Sequence, residues 1–264
     1  MRATTACLSK GFWSRSLDEF KRLSNIALKL EGVKGPSGPL SLQTFHTPES
    51  LEDCKCFWDR DIGGSSKAAF DWVPPSPAGN VPAHARFHGS ISNALPAHRP
   101  DVQRSGYAAW RTLDKPPTIF GRTLIDIDSY TYLGMRVKSD GRAYFVNVQT
   151  ESVIPTDLHQ HRLFAKRPGE WETVLIKWND FVRTNGGYVV EPQTEMLRQK
   201  VRSIGVSLTD RVPGPFDLSI ERIWATNDMS EVDQHEKDKA DAEQVVKEGQ
   251  LKDKRGRHIN WNEK

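Results

Sequence analysis

Between residues 42 and 225 the sequence alternates short runs of β-branched and aromatic residues with turn clusters, and this pattern constrains the fold most. No long helical pattern separates the runs, which excludes a parallel α/β sheet and predicts an all-β sandwich or jelly roll. The ten predicted strands are Leu42–His46, Lys67–Trp72, Arg86–Ile91, Tyr107–Thr112, Tyr130–Lys138, Ala143–Thr150, His159–Lys166, Trp171–Trp178, Val201–Thr209 and Phe216–Ala225.

Glycine and proline clusters predict the turns between these strands. Asp140-Gly141 is the clearest hairpin signal, because this pair suits the positive φ angles of a type I′ turn. Short helices are predicted only after Pro48 and over Thr194–Gln199. The other predicted turns are Gly63-Gly64, Asn185-Gly186-Gly187 and Pro213-Gly214-Pro215.

Composition and charge divide the chain into three parts. Residues 1–41 form a basic N-terminal segment; its first 17 residues hold three bases and no acid, which indicates a mitochondrial presequence or an ordinary basic start. Residues 42–227 form the predicted β-sandwich domain. Residues 228–264 hold ten acids and eight bases without an apolar stripe, so this tail is predicted to be helical or disordered.

A helix is predicted within the N-terminal segment. Ser16 and Glu19 match a capping box, and Gly32 is the predicted stop, before a linker at residues 35–39. The helix belongs either to a presequence or to a mature docking element, and its acidic residues favour the second. The predicted apolar stripe is Leu17, Phe20, Leu23, Ala27 and Leu30, of which Leu17, Phe20 and Leu23 are candidate partner-binding residues.

Several function classes are disfavoured by composition. The net charge is +3 without a basic run, so nucleic-acid binding is not expected. No apolar stretch reaches the roughly 18 residues of a transmembrane span, so any membrane contact is predicted to be peripheral. Three cysteines without framework spacing predict a reducing compartment.

Possible metal ligands come only in incomplete sets. Cys54 and Cys56 would face one side of an extended segment, and so would His159 and His161, but neither pair has a sequence signature for further ligands. Half-buried thiols and cross-strand polar packing are therefore the preferred interpretations. The sequence predicts no metal and no cofactor.

A catalytic apparatus is not recognisable either. Asp126 with Asp128, and Glu151 with Asp157, are acid pairs that a glycosidase could use, but acids that cap turns are far more common. The sequence contains neither a G-x-G-x-x-G motif nor a P-loop, which disfavours nucleotide chemistry. No catalytic residue is predicted, and binding to other molecules is the expected function.

Five sequence blocks, in order, resemble the complex I intermediate-associated protein 30 family, which assists assembly of mitochondrial NADH:ubiquinone oxidoreductase. The resemblance covers residues 42–226. The blocks are Phe57–Ser66, Phe87–Ser92, Arg104–Ala109, Leu133–Arg142, and Ser203–Leu208 followed by Asp210 and Gly214–Phe216.

The resemblance implies a galactose-binding-domain-like jelly roll and a matrix-side factor, peripheral to the inner membrane, that holds an early membrane-arm intermediate. Its partners would be complex I assembly intermediates and other assembly factors. A carbohydrate-binding or other ligand-binding β-sandwich module is the alternative, since the same architecture hosts such modules.

Most polar residues and glycines in these blocks are predicted to stabilise the fold. Asp61, Arg136 and Arg142 are predicted either to hold the fold or to contact a partner. Backbone requirements at turns and close strand contacts are predicted for Gly63, Gly64, Gly89, Gly106, Asp140, Gly141, Gly205 and Gly214.

Overall fold

The computed structural model describes residues 11–28, 36, 38–76, 81–154 and 156–230. The chain divides into two compact units, residues 1–227 and 228–264. The described residues of the first unit form helix α1 (Phe12–Leu28) and 13 strands. The strands are β1 Leu40–Thr44, β2 Cys54–Trp58, β3 Lys67–Val73, β4 His84–Ile91, β5 Ala108–Thr112, β6 Tyr132–Ser139, β7 Tyr144–Thr150, β8 Asp157–Arg162, β9 Trp171–Lys177, β10 Val182–Asn185, β11 Tyr188–Val189, β12 Val201–Leu208 and β13 Gly214–Thr226.

The strands form two antiparallel sheets, which confirms the predicted sandwich. One sheet has seven strands in the order β11-β10-β8-β7-β12-β5-β2. The other has six, in the order β3-β4-β13-β6-β9 with β1 also paired to β13. Strand β13 is long enough for β4 to pair with residues 214–220 on one edge and for β1 to pair with residues 222–225 beyond them.

Alternating side chains from both sheets form the core. Along β7, Tyr144, Val146 and Val148 point inward and are fully buried. Phe70 stacks on Trp110 with ring centroids 4.7 Å apart, so the two sheets share an aromatic contact. Burying one large apolar side chain contributes roughly 1.5–3 kcal/mol, so this alternation supplies most of the favourable folding free energy.

All ten predicted strands are present, with ends shifted by a few residues. Strands β2, β10 and β11 were not predicted. β2 lacks β-branched residues, and its sequence Cys-Lys-Cys-Phe-Trp gives only a weak strand signal. β10 and β11 are too short for a period of two to stand out. The two predicted short helices correspond to single 3-10 turns, Pro48–Leu51 and Arg198–Lys200.

The predicted hairpin at Asp140-Gly141 is wrong. This turn joins β6 in the six-stranded sheet to β7 in the seven-stranded sheet, so its two strands do not pair. Gly141 has a φ of +91°, but Asp140 does not adopt a positive φ, so the turn is not type I′. Asp140 instead accepts hydrogen bonds from the Asp217 amide at 2.8 Å and the Tyr144 hydroxyl at 3.1 Å. The dipeptide signals a tight turn, whereas strand pairing depends on distant residues.

The predicted start of the N-terminal helix is also wrong. Helix α1 begins at Phe12, so Ser16 lies inside it and does not cap it. The Ser16 hydroxyl donates to the Phe12 carbonyl at 2.9 Å, and Glu19 accepts from Arg22 at 2.6 Å. The capping box therefore does not form.

Several expectations lie outside the described residues: the helix end at Gly32, the stripe residue Leu30, the first ten residues, most of the linker, and the tail beyond Ser230. Among the described residues, no helix is both long enough and apolar enough to cross a membrane.

Candidate partner-binding surface on helix α1

Helix α1 packs on the segment that connects β5 to β6. Ser16 is buried, and its hydroxyl accepts a hydrogen bond from the Ile119 amide at 3.1 Å. Glu19 is mostly buried as well. The hydrogen bond from Arg22 lowers the pKa of the Glu19 carboxyl, and the charge of Lys115, in the supporting segment, lowers it further. Polar contacts therefore hold the helix on the domain.

Four apolar residues of α1 point away from the domain. At about 100° per residue, Trp13, Leu17, Phe20 and Leu28 share an arc of about 80°. Their exposed fractions are 77%, 55%, 56% and 81%. A surface helix of a globular protein normally turns its apolar stripe toward the core. In α1 this arrangement is reversed, and the described part of the chain leaves the stripe exposed.

Two exposed apolar side chains also lie in the segment that supports α1. Ile119, whose amide bonds to Ser16, is 54% exposed, and Phe120 beside it is 52% exposed. Clustered exposed apolar residues on a soluble domain usually mark an interaction site. We define the α1 apolar surface as Trp13, Leu17, Phe20, Leu28, Ile119 and Phe120.

The sequence-predicted partner residues only partly coincide with this surface. Leu17 and Phe20 belong to it. Leu23 lies nearer to Ser16 around the helix and is turned toward the domain, with 42% of its side chain exposed. Trp13 was missed because the helix was predicted to begin at Ser16. Its spacing of four residues from Leu17 was the available signal.

The polar candidates Asp61 and Arg136 lie elsewhere. Asp61 is exposed in the 3-10 turn Asp59–Ile62. Burial of Tyr107 raises the pKa of its hydroxyl, and the nearby charge of Asp61 raises it further. Arg136 is half-buried on β6 and donates to the Thr173 hydroxyl at 3.3 Å. The structure does not bring these two side chains together with the α1 apolar surface.

The cysteine pair lies on β2, half-buried against the core. Burial raises the pKa of Cys54 to about 12 and that of Cys56 to about 11. Both thiols are therefore protonated at neutral pH, which makes them poor nucleophiles.

The histidine pair lies on the inner face of β8, where His159 faces Val148 and His161 faces Val146. Burial lowers the pKa of His159, so it is neutral at pH 7. Within the ranges that the structure describes, no group of three His, Cys, Asp or Glu residues could hold a metal ion.

The acid pairs that a glycosidase could use, for which turn capping was the preferred interpretation, make other contacts. Asp157 accepts from Arg183 at 2.7 Å, and Glu151 accepts from Lys200 at 2.9 Å. Asp126 accepts from the Asp128 amide at 3.0 Å, as an acid that shapes a turn does. These contacts give the carboxylates structural roles.

Comparison with known proteins identifies the family. A family model described as Complex I intermediate-associated protein 30 matches residues 43–220. The chain belongs to this family. A relative from Neurospora crassa, named complex I intermediate-associated protein 30, mitochondrial, is 57% identical over 98% of this chain and 96% of its own length. The Mus musculus protein of that name is 26% identical over 88% of this chain and 72% of its own.

Solved structures agree with the fold. The family 11 carbohydrate-binding module of a cellulosomal cellulase from Clostridium thermocellum aligns with 74% of this chain and 97% of the module, with a TM-score of 0.50 and 13% identity. At that identity the likeness concerns the jelly-roll architecture alone.

Two of the blocks that resemble the family meet at one buried carboxylate. Asp59 is fully buried and accepts from the Ser66 amide at 3.0 Å, the Ser66 hydroxyl at 2.8 Å and the Gly106 amide at 2.7 Å. A Cβ atom on Gly64 would lie 2.2 Å from Asp59 Cγ, and one on Gly106 would lie 2.3 Å from Asn93 Oδ1. Asp59 was not among the predicted site residues, although it lies inside the first block.

Two further blocks of the complex I intermediate-associated protein 30 family meet at Arg142. Its guanidinium donates to Asp210 through Nε at 3.0 Å and Nη2 at 2.7 Å, and to the carbonyls of Val212, Gly214 and Pro215. These contacts use every nitrogen of the guanidinium, and the side chain is only 13% exposed. We infer that Arg142 holds the fold and is not available to a partner.

Proposed function

We propose that this chain is a non-catalytic assembly factor for mitochondrial complex I, and that it binds an early membrane-arm intermediate through the α1 apolar surface. Membership of the complex I intermediate-associated protein 30 family supports the assembly role. The outward-turned stripe of α1 is the observation that supports the surface.

The chemistry of the surface suits a membrane-arm client. Apolar side chains that are 50% exposed or more gain free energy when a partner covers them, at least about half of the roughly 1.5–3 kcal/mol for burying a fully exposed side chain. Trp13 and Phe20 carry large aromatic areas on rigid side chains, a type that is enriched at binding hot spots. An apolar subunit surface or the adjacent membrane interface would provide that cover.

The proposed location is the mitochondrial matrix, peripheral to the inner membrane. Relatives in Neurospora crassa and Mus musculus are named as mitochondrial proteins. The proposed partners are complex I assembly intermediates and other assembly factors. Asp157 and Glu151 are held in ion pairs, and burial raises the pKa of the Cys54 thiol. These surroundings support a binding role over an enzymatic one.

The test is purification of the tagged full chain from mitochondria solubilised in mild detergent, with the recovered proteins identified by mass. An independent matrix-targeting sequence is added, so that changes in α1 cannot act through import. The wild type is compared with the double variant Trp13→Ser/Phe20→Ser. Leu95→Ser/Val153→Ser is the matched control, because both residues are exposed apolar side chains outside α1.

We expect membrane-arm subunits to co-purify with the wild type and the control, and their recovery with the α1 variant to fall at least about tenfold, since two buried aromatic anchors exceed the ~1.4 kcal/mol of a tenfold change. Equal recovery with both double variants contradicts the role of α1. Absence of complex I subunits from the wild-type sample contradicts the assembly role itself.

A further inference from the structure

The outer face of the six-stranded sheet is concave. The rings of His84 on β4 and Trp171 on β9 meet on this face, with centroids 5.1 Å apart. Strands β13 and β6 lie between β4 and β9, and three strand spacings amount to about 14 Å across a flat sheet. Side chains that stand out from a flat sheet would not come into contact over that distance. The sheet therefore curves toward the two rings.

A cavity of about 440 Å³ lies in this concave face. The strand register places Arg86, Ser219 and Lys138 side by side on β4, β13 and β6. Ser219 is the shortest of the three and forms the floor between two long side chains. The cavity is open to solvent, since Lys138 at its rim is exposed. We define the β13 cavity by six of its lining residues: His84, Arg86, Lys138, Asp140, Asp217 and Ser219.

The formal charges that line the β13 cavity cancel. Arg86 donates to Asp217 through Nε at 3.1 Å and through Nη2 at 2.6 Å, so these two charges neutralise each other within the protein. Asp140 accepts hydrogen bonds from three groups of the protein, among them the Arg142 amide at 3.0 Å. Lys138 has no carboxylate within 4.0 Å of its ammonium group in the described part of the chain. Two cations and two acids leave no net charge, so the cavity selects neither an anion nor a cation.

Several hydrogen-bonding groups of the cavity are not used within the protein. His84 Nδ1 lies 2.8 Å from the Pro82 carbonyl oxygen, which can only accept, so Nδ1 carries the proton. Nε2 of the neutral ring is then an acceptor. Among the described residues, His84 Nε2, Arg86 Nη1 and the Ser219 hydroxyl have no hydrogen-bond partner, and neither has the Lys138 ammonium group. The cavity thus presents donors and acceptors together.

A neutral molecule with several hydroxyl groups matches this lining. Each hydroxyl both donates and accepts, so it can bond to the Lys138 ammonium group and to His84 Nε2 alike. An anion would meet the like charges of Asp140 and Asp217. An apolar ligand would leave the polar groups of the lining without water or partners, at a cost in free energy. Val73, which also lines the cavity, adds apolar surface for the C–H groups of such a molecule.

We propose that the β13 cavity binds a neutral sugar of about one or two rings. Its volume of about 440 Å³ lies within the roughly 300–1,000 Å³ of small-molecule sites. Lys138 and Arg86 donate to the hydroxyls of the sugar, His84 Nε2 accepts from one of them, and Ser219 bonds to it from the floor. The cavity belongs to the six-stranded sheet, whereas the segment that supports α1 follows β5 of the other sheet. Sugar binding therefore adds to the proposed assembly role and does not depend on it.

The test is isothermal titration calorimetry of the full chain with maltose and with cellobiose, which are neutral disaccharides. Glucuronate and glucosamine, compared with glucose, show whether the site selects a charge. Arg86→Ala/Lys138→Ala removes both cationic donors, and Ser219→Val fills the floor without a change of charge. Lys55→Ala/Arg162→Ala removes two exposed cations from the seven-stranded sheet and is the matched control. Melting temperatures show that each variant folds.

We expect at least one disaccharide to bind with a Kd below about 10 mM, and at least about tenfold more weakly to both cavity variants. The control should bind within about twofold of the wild type. Added salt should change the wild-type affinity by less than about twofold, because a neutral ligand forms no ion pair. Three outcomes overturn the proposal: Kd values above about 10 mM for both disaccharides, a loss in the control equal to that in the cavity variants, or binding of glucuronate or glucosamine at least about tenfold tighter than that of glucose.

Discussion

Asp59 is a charged residue with no solvent exposure, and three hydrogen bonds offset the cost of burying its carboxylate. Two of these donors belong to Ser66 and the third to Gly106, which lies 47 residues further along the chain than Asp59. The carboxylate thus ties the segment after β2 to the segment before β5. Gly64 lets the backbone approach this carboxylate closely.

Gly64→Ala should destabilise the domain by about 2–4 kcal/mol, because the added methyl group would lie 2.2 Å from Asp59 Cγ and would displace the carboxylate from its donors. Urea denaturation measures the free energy of unfolding. Gly38→Ala is the control, since its Cβ atom would meet nothing within 4 Å. Equal stability of the two variants would show that the Asp59 site tolerates the methyl group.

His159 should make stability depend on pH. Its pKa in the folded protein is lowered from 6.5 by burial; Arg183 lowers it further, while Asp157 and the Thr194 backbone raise it. The unfolded chain therefore binds the proton more readily. The contribution to stability is complete above about pH 6.5 and is lost as the pH falls toward the folded pKa.

The variant His159→Leu should therefore lose less stability than the wild type between pH 7.5 and pH 5.5, measured by urea denaturation at each pH. His98→Leu, at an exposed position, is the control and should follow the wild type. If His159→Leu keeps the pH dependence of the wild type, another group causes it.

At the scale of elements, sequence periodicity located the strands but not their partners. β6 and β7 were each predicted, yet the turn between them crosses from one sheet to the other. Which sheet a strand joins depends on contacts with strands distant in sequence, such as β13 for β6 and β12 for β7. Local turn chemistry does not contain that information.

The orientation of α1 could not be predicted from the sequence either. The domain, a partner or a membrane can cover an apolar stripe, and the residue spacing of the stripe is the same in each case. The outward direction follows from particular contacts, above all the hydrogen bond between Ser16 and the Ile119 amide. The residues of that contact are 103 positions apart.

Arg142 joins the β6–β7 crossing to the loop between β12 and β13, and Arg142→Ala should cost about 3 kcal/mol because it leaves Asp210 buried without its partner. Arg142→Lys should recover little, since an ammonium group cannot reproduce the bidentate contact. Arg86→Ala is the control: its ion pair with Asp217 is about half exposed and should contribute less than about 1 kcal/mol.

Thermal and urea unfolding of the three variants measure these differences. A loss for Arg86→Ala as large as that for Arg142→Ala would mean that the crossing is not specially dependent on Arg142.

At the scale of the whole molecule, the proposed contact with a client is the α1 apolar surface. The segment that supports α1 continues directly from β5, so the chain itself joins this surface to the seven-stranded sheet.

The family and the fold class followed from sequence alone, because ordered motif blocks and strand periodicity are local signals. The identity of the client does not follow from them. Client recognition depends on which side chains remain exposed, and Trp13 became a candidate only when α1 was seen to begin at Phe12.

Site-specific photo-crosslinking tests the central claim most directly. A benzoylphenylalanine residue replaces Trp13 in the full chain, or Val153 as an exposed control, and irradiation in intact mitochondria is followed by identification of the crosslinked proteins. We predict that position 13 crosslinks to membrane-arm subunits or to other complex I assembly factors, and that position 153 does not. Crosslinks to such proteins from position 153 but not from position 13 would contradict the account.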